Sequence, residues 1–150
     1  MSEIHIAGEM RRRTPANMLA AISWTLLVAV MFGGYSLLRM LTSGAGLSDF
    51  EEQFFRAGHG HAGVLSIIGI LFSSYLARTN LSYRSQVVAW SVYLAGVTIM
   101  SGGFFVHMAI GEHGESSIGT AMIPTGGVIL AASVLYLVWH LFASREKETS

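Results

Sequence analysis

Four long apolar stretches constrain this chain more than any other feature of its sequence. They run roughly over residues 18–41, 57–77, 85–110 and 120–143, and only Arg39, near the end of the first, interrupts them with a charge. A helix needs about 20 mostly apolar residues to cross a bilayer, and each stretch meets that length. The sequence therefore predicts an all-α, polytopic membrane protein whose 150 residues form one four-helix transmembrane domain in the lipid bilayer.

The composition agrees with a membrane protein and excludes several classes of function. Charged residues make up 12% of the chain, about half the share of a soluble domain. The net charge is zero, so the chain has no basic surface for nucleic acid. Cysteine is absent, which excludes disulfides, thiolate catalysis and iron–sulfur clusters held by this chain. Any metal would need His, Met or carboxylate ligands.

The distribution of basic residues predicts the orientation. Cytoplasmic segments of bacterial membrane proteins carry an excess of Lys and Arg. With the N-terminus inside, two basic residues, Arg39 and Arg56, lie outside. The other seven lie inside: Arg11, Arg12, Arg13, Arg78, Arg84, Arg145 and Lys147. Together with the short connections between spans, this bias predicts an up-down bundle in the cytoplasmic (inner) membrane, with both termini cytoplasmic.

The start of the second span carries a helix-capping pattern. Ser48 and Glu51 have the spacing of a capping box, and Phe50, Phe54 and Phe55 follow. Residues 49–56 are therefore predicted to form either a short interfacial helix or an outward extension of the second span.

Histidines gather at one end of the predicted spans. His59 and His61 open the second span, and His107 lies near the end of the third, which is the same outer side in this topology. The loop after the third span adds further groups that bind metals: Glu112, His113 and Glu115. Ionisable groups at the membrane are costly, so imidazoles at a common depth indicate a functional site.

Helical periodicity narrows how these groups could act together. Gly96, Met100, Gly103 and His107 follow steps of four, three and four, so they share one stripe. Small residues on a stripe allow close approach of a neighbouring backbone or of a flat macrocycle. Residues two apart point about 200° apart on a helix. His59 and His61 therefore cannot both bind one ion from within a regular helix.

Two kinds of site fit this pattern. In the first, haem b lies between the second and third spans, with His59 or His61 and His107 as axial ligands. Met100 and Gly103 then shape its pocket. In the second, imidazoles, a thioether and carboxylates bind copper, iron or zinc on the outer side. Its candidate ligands are His59, His61, His107, Met108, Glu112, His113 and Glu115. Either site would serve electron transfer or cofactor handling.

The opening of the second span, Arg56-Ala57-Gly58-His59-Gly60-His61-Ala62-Gly63-Val64-Leu65, resembles a pattern in short four-helix bacterial membrane proteins. Those proteins are described as similar to a fragment of the catalytic subunit of haem-copper oxidases. The resemblance implies a haem- or copper-linked membrane protein, with His59 and His61 at the matching positions. This chain lacks the adjacent histidine pair of the oxidase copper centre and the tyrosine motif that accompanies it. We therefore expect no reduction of oxygen or nitric oxide by this chain alone.

A different class of function fits the same spans. The sequence contains no nucleotide-binding, zinc-protease or nucleophile-elbow motif, so we assign no catalytic residue and expect no enzymatic activity from the chain by itself. Glycine-rich helix faces pack well against other helices. The alternative is therefore a non-catalytic accessory or assembly subunit of a larger, respiratory-type membrane complex, or a homo-oligomer.

Overall fold

A computed structural model describes residues 2–44 and 46–146, and side chains within 17–44 and 46–144. The described residues form four helices and no strand: α1 (Ser2–Thr42), α2 (Asp49–Leu76), α3 (Tyr83–Ile110) and α4 (Ile118–Glu146). Each contains a stretch long and apolar enough to cross a membrane. The predicted all-α class and the four predicted helices are therefore confirmed, and each helix has a length and composition that suit a membrane span. Several cations used for the orientation lie outside the described side chains: Arg11, Arg12, Arg13, Arg145 and Lys147.

The start of α2 follows its capping pattern. The Ser48 hydroxyl accepts a hydrogen bond from the Glu51 backbone N–H, and the Glu51 carboxylate accepts one from the Ser48 N–H at 2.8 Å. These bonds satisfy backbone groups that a helix leaves open at its first turn. The helix then continues without a break through His59 and His61. Residues 49–56 are thus an extension of the second span and not a separate helix.

The four helices pack in the order of the chain. Extensive contacts join α1 to α2, α2 to α3 and α3 to α4, whereas α1 touches α3, and α2 touches α4, only slightly. Within the described part of the chain, α1 and α4 make no contact. The helices therefore form an open row and not a closed ring of four.

The most buried part of the row lies where α2 ends and α3 begins. Leu76 is fully buried there, and Trp90, Tyr93 and Leu137 are nearly so. The Tyr93 hydroxyl donates a 2.8 Å hydrogen bond to the Leu65 carbonyl. This bond ties α3 to α2 and satisfies a buried polar group. This buried region holds the end of α2 against the start of α3. The predicted histidine site lies at the opposite end of the two helices.

Candidate functional site

The start of α2 lies directly against the end of α3. A Cβ added at Gly58 would come within 2.9 Å of the Phe105 ring and 3.1 Å of the Phe104 Cβ. Glycine favours this close approach, because a larger residue would have to displace the Phe105 ring and the Phe104 Cβ. The contact brings the histidines of α2 and α3 to the same end of the molecule, as the sequence predicts.

His107 is buried at this end, with 4% of its surface exposed. Its ring makes edge-on contacts with two phenylalanines of the α2 extension. The ring centroids lie 4.4 Å from that of Phe54 and 5.3 Å from that of Phe50. Edge-to-face packing of this kind stabilises aromatic pairs beyond their buried area. The extension of α2 therefore covers the His107 ring.

The end of α3 and the start of α4 also pack closely around His107. Its Nδ1 shares a 2.8 Å hydrogen bond with the Ser117 hydroxyl, which also accepts from the Gly119 N–H at the start of α4. A Cβ at Gly111 would overlap the His107 ring, and one at Gly119 would overlap the His107 backbone. His107 thus joins α2, α3 and the start of α4, and one of its two ring nitrogens is occupied in doing so.

His59 turns toward α1. A Cβ at Gly34 would lie 2.8 Å from the His59 Nε2 and 2.9 Å from its Cε1, and one at Gly33 would lie 3.7 Å from its Nδ1. The imidazole therefore fills a notch that the two glycines leave in α1. Both of its nitrogens face a neighbouring helix across that notch.

His61 points away from His59, toward α3. Its ring stacks on Phe104 with centroids 4.7 Å apart and an angle of 27° between planes. Its Nδ1 lies 2.8 Å from the Ala57 carbonyl. Because a carbonyl oxygen can only accept, Nδ1 carries the proton, and Nε2 of the neutral ring carries the lone pair. Histidines that bind metals are commonly held in this way by a hydrogen bond to the other nitrogen.

A surface groove of about 410 Å³ runs beside His61 along α2. Its lining comes from α2 alone and is mostly apolar, with Ala57, Gly60, Val64 and Leu65, and Arg56 lies at one end. Arg56 forms an ion pair with Glu52, one turn earlier. Small-ligand sites share this chemistry, since they are mostly apolar with a few placed polar groups. The groove therefore combines an apolar surface with the His61 imidazole and the Arg56 cation.

The glycine stripe of α3 meets α4 and not α2. A Cβ at Gly103 would approach the Gly119 carbonyl to 2.8 Å, and one at Gly96 would approach Leu130. The Met100 backbone lies against Gly126 in the same way. Helix α4 therefore fills the space that the sequence left open for a macrocycle beside Met100 and Gly103.

The loop residues stay apart from the histidines of α2 and α3. Glu112, His113 and Glu115 are all exposed. The His113 ring contacts only the outer side of the aromatic group, 6.5 Å from the centroid of Phe50. Among the described residues, no group of three or more His, Asp or Glu side chains converges as a metal site would require.

Two partners of the histidines were not predicted as site residues. Phe54 covers His107, and Ser117 bonds to it. The sequence carried a signal for both: Phe54 lies one helical turn after Phe50 on the predicted extension, and Ser117 directly precedes α4, where a capping hydroxyl is expected. Neither pattern, however, predicts that the residue contacts His107.

Comparison of the chain with models of protein families, with curated proteins and with solved structures gives no match. The resemblance of the Arg56–Leu65 segment to fragments of haem-copper oxidase subunits stays a prediction.

Proposed function

We propose that this chain is a haem-binding membrane protein in which His61 supplies an axial imidazole. The observation that carries this assignment is the 2.8 Å hydrogen bond from the His61 Nδ1 to the Ala57 carbonyl, beside an apolar groove. The bond fixes the tautomer and the ring orientation, so that Nε2 is available as the ligand. When bound, haem would supply one-electron transfer at a potential set by its axial ligands and surroundings. The chain would serve electron transfer or cofactor handling.

The donor groups favour haem over a bare copper, iron or zinc ion. A structural zinc site uses four protein ligands, and a catalytic site uses three. Within the described residues no three such groups converge, and His59 and His61 lie on different sides of α2. Haem brings four nitrogen ligands of its own and needs only an imidazole and an apolar surface from the protein. The exposed Arg56, at the end of the groove, would exchange its ion pair with Glu52 for a propionate carboxylate, which guanidinium groups bind with two parallel hydrogen bonds.

We place the site on the extracytoplasmic side of the cytoplasmic membrane. The excess of Lys and Arg at the opposite end of the spans supports both cytoplasmic termini and an up-down arrangement of the helices. Haem bound at His61 would then exchange electrons with a partner on the outer side or within the bilayer.

A haem titration tests the assignment directly. The purified protein in mild detergent would be titrated with haem while the Soret absorption is followed, and the same titration would be run on His61→Ala. We expect saturable one-to-one binding by the wild-type protein and its loss in the variant. His113→Ala is the matched control, because His113 lies at the same end but is exposed in the loop. Equal binding by all three proteins would contradict the assignment.

The row of helices favours a second candidate function. Because α1 and α4 do not contact each other in the described chain, each has a long apolar side that no other helix of this protein covers. A non-catalytic subunit of a larger membrane complex would use such sides against its partners. Purification in native lipids distinguishes the two functions: a stable larger assembly that lacks a haem spectrum favours the accessory subunit.

A further inference from the structure

A second groove lies between α3 and α4, at the end opposite the histidines. Its volume is about 450 Å³. Val88 and Val92 of α3 and Ala132 and Tyr136 of α4 line it, and Arg84 lies at its end, in the first turn of α3. The groove is independent of His61 and of haem.

The interior of this groove suits a hydrocarbon chain. The exposed side chains of Val88 and Val92 form an apolar wall on α3. On α4, the buried Ser133 hydroxyl donates to the Ile129 carbonyl of its own helix at 2.9 Å, so it is already satisfied. A polar ligand would find few hydrogen-bond partners in this groove. An acyl chain bound in it would make close van der Waals contacts with the apolar side chains.

The end of the groove suits an anion. Arg84 is exposed and lies at the start of a membrane-spanning helix, where lipid headgroups are found. Guanidinium groups bind phosphate with paired hydrogen bonds, and basic pockets between transmembrane helices bind anionic headgroups. A ligand that satisfies both parts of the groove carries a phosphate at one end and a long apolar chain at the other.

We infer that the groove between α3 and α4 is a binding site for an anionic phospholipid, with an acyl chain along Val88 and Val92 and the phosphate at Arg84. One basic residue at a membrane surface contributes about 1 kcal/mol to binding an anionic lipid, which corresponds to about fivefold in affinity. Loss of that charge should therefore weaken binding of the anionic lipid by about this factor.

Native mass spectrometry of the full chain in detergent tests this site. Phosphatidylglycerol and phosphatidylcholine would be titrated separately, and the apparent dissociation constants compared. Arg84→Gln should weaken phosphatidylglycerol binding about fivefold and phosphatidylcholine binding by a smaller factor, because the choline cation offsets the charge of its phosphate. Arg78→Gln is the matched control: Arg78 lies in the connection just before α3, but its guanidinium lies over the Tyr75 ring, 4.8 Å from the centroid. It should change neither constant.

Two further experiments distinguish the contribution of the acyl chain to binding from that of the headgroup. Ala132→Phe places a ring in the groove at an exposed position, so it should weaken the binding of both lipids. Glycerol phosphate, which has the headgroup chemistry without the chain, should not displace phosphatidylglycerol. Equal effects of Arg84→Gln and Arg78→Gln, unchanged binding in Ala132→Phe, or displacement by glycerol phosphate would each overturn the lipid site.

Discussion

The His61 Nδ1 donates a hydrogen bond to the Ala57 carbonyl, one helical turn earlier on α2, over 2.8 Å. This single bond turns a flexible side chain into an oriented one and decides which nitrogen can bind a ligand. His107, in contrast, is enclosed by Phe50, Phe54 and the start of α4. The two histidines therefore differ in role: His61 is presented to a groove, and His107 holds three helices together.

Ser117→Ala should destabilise the histidine end of the protein. The change removes both the partner of the His107 Nδ1 and the hydroxyl that accepts from the Gly119 N–H. Loss of a helix-capping hydroxyl costs about 0.5–2 kcal/mol. Chemical denaturation in detergent measures this loss. Ser116→Ala, at the exposed neighbouring position, should leave stability unchanged, and equal stability of the two variants would contradict the structural role of Ser117.

The neighbouring glycines Gly126 and Gly127 should respond oppositely to alanine. A Cβ at Gly126 would overlap the Met100 backbone, whereas one at Gly127 meets nothing within 4 Å. Gly126→Ala should therefore cost about 1–3 kcal/mol, as overpacking does. Gly127→Ala should be neutral or stabilise by up to about 1 kcal/mol, because alanine favours helix over glycine. Thermal unfolding in one detergent compares the pair, and the reverse order would refute the packing of α3 on α4.

Two buried serines offer a test of the interior. Ser101 is 5% exposed and its Oγ has no hydrogen-bond partner among the described residues, whereas Ser133 is 4% exposed and donates to Ile129. An unsatisfied buried hydroxyl costs about 1–3 kcal/mol. Ser101→Ala should raise the free energy of unfolding, and Ser133→Ala should leave it unchanged or lower it. Equal losses in both variants would show that Ser101 has a partner.

The sequence predicts those features of this structure that depend on residues close together in the chain. Apolar length gave the four spans, and the Ser48–Glu51 spacing gave the capped start of α2, because both are local properties. Helix geometry also predicted that His59 and His61 point to different sides, and the structure places His59 against Gly34 and His61 on Phe104.

The choice of neighbours could not be predicted in the same way. Periodicity shows that Gly96, Gly103 and His107 share a stripe, but not which helix meets it. The stripe faces α4, since Gly119 and Gly126 provide matching gaps there. That match involves residues far apart in the sequence, and a single sequence does not reveal which of several glycine-rich faces pair.

His107→Ala separates the His61 site from a haem held by two histidines. Because the His107 ring is enclosed and its Nδ1 is bonded to Ser117, we expect the variant to lose stability but to keep its haem content per folded molecule. The haem-to-protein ratio of the monodisperse fraction after size exclusion gives this measurement. A folded variant without haem would restore the predicted pairing of His107 with His59 or His61.

The most direct measurement is a reduced-minus-oxidised visible spectrum of the protein purified from haem-replete cells, with His61→Ala prepared in parallel. Binding at His61 predicts a haem b spectrum and about one iron per chain in the wild-type protein. Both should be absent from the variant, with folding unchanged by circular dichroism. A wild-type protein without haem, or a His61→Ala variant with the same spectrum, would contradict haem binding at His61.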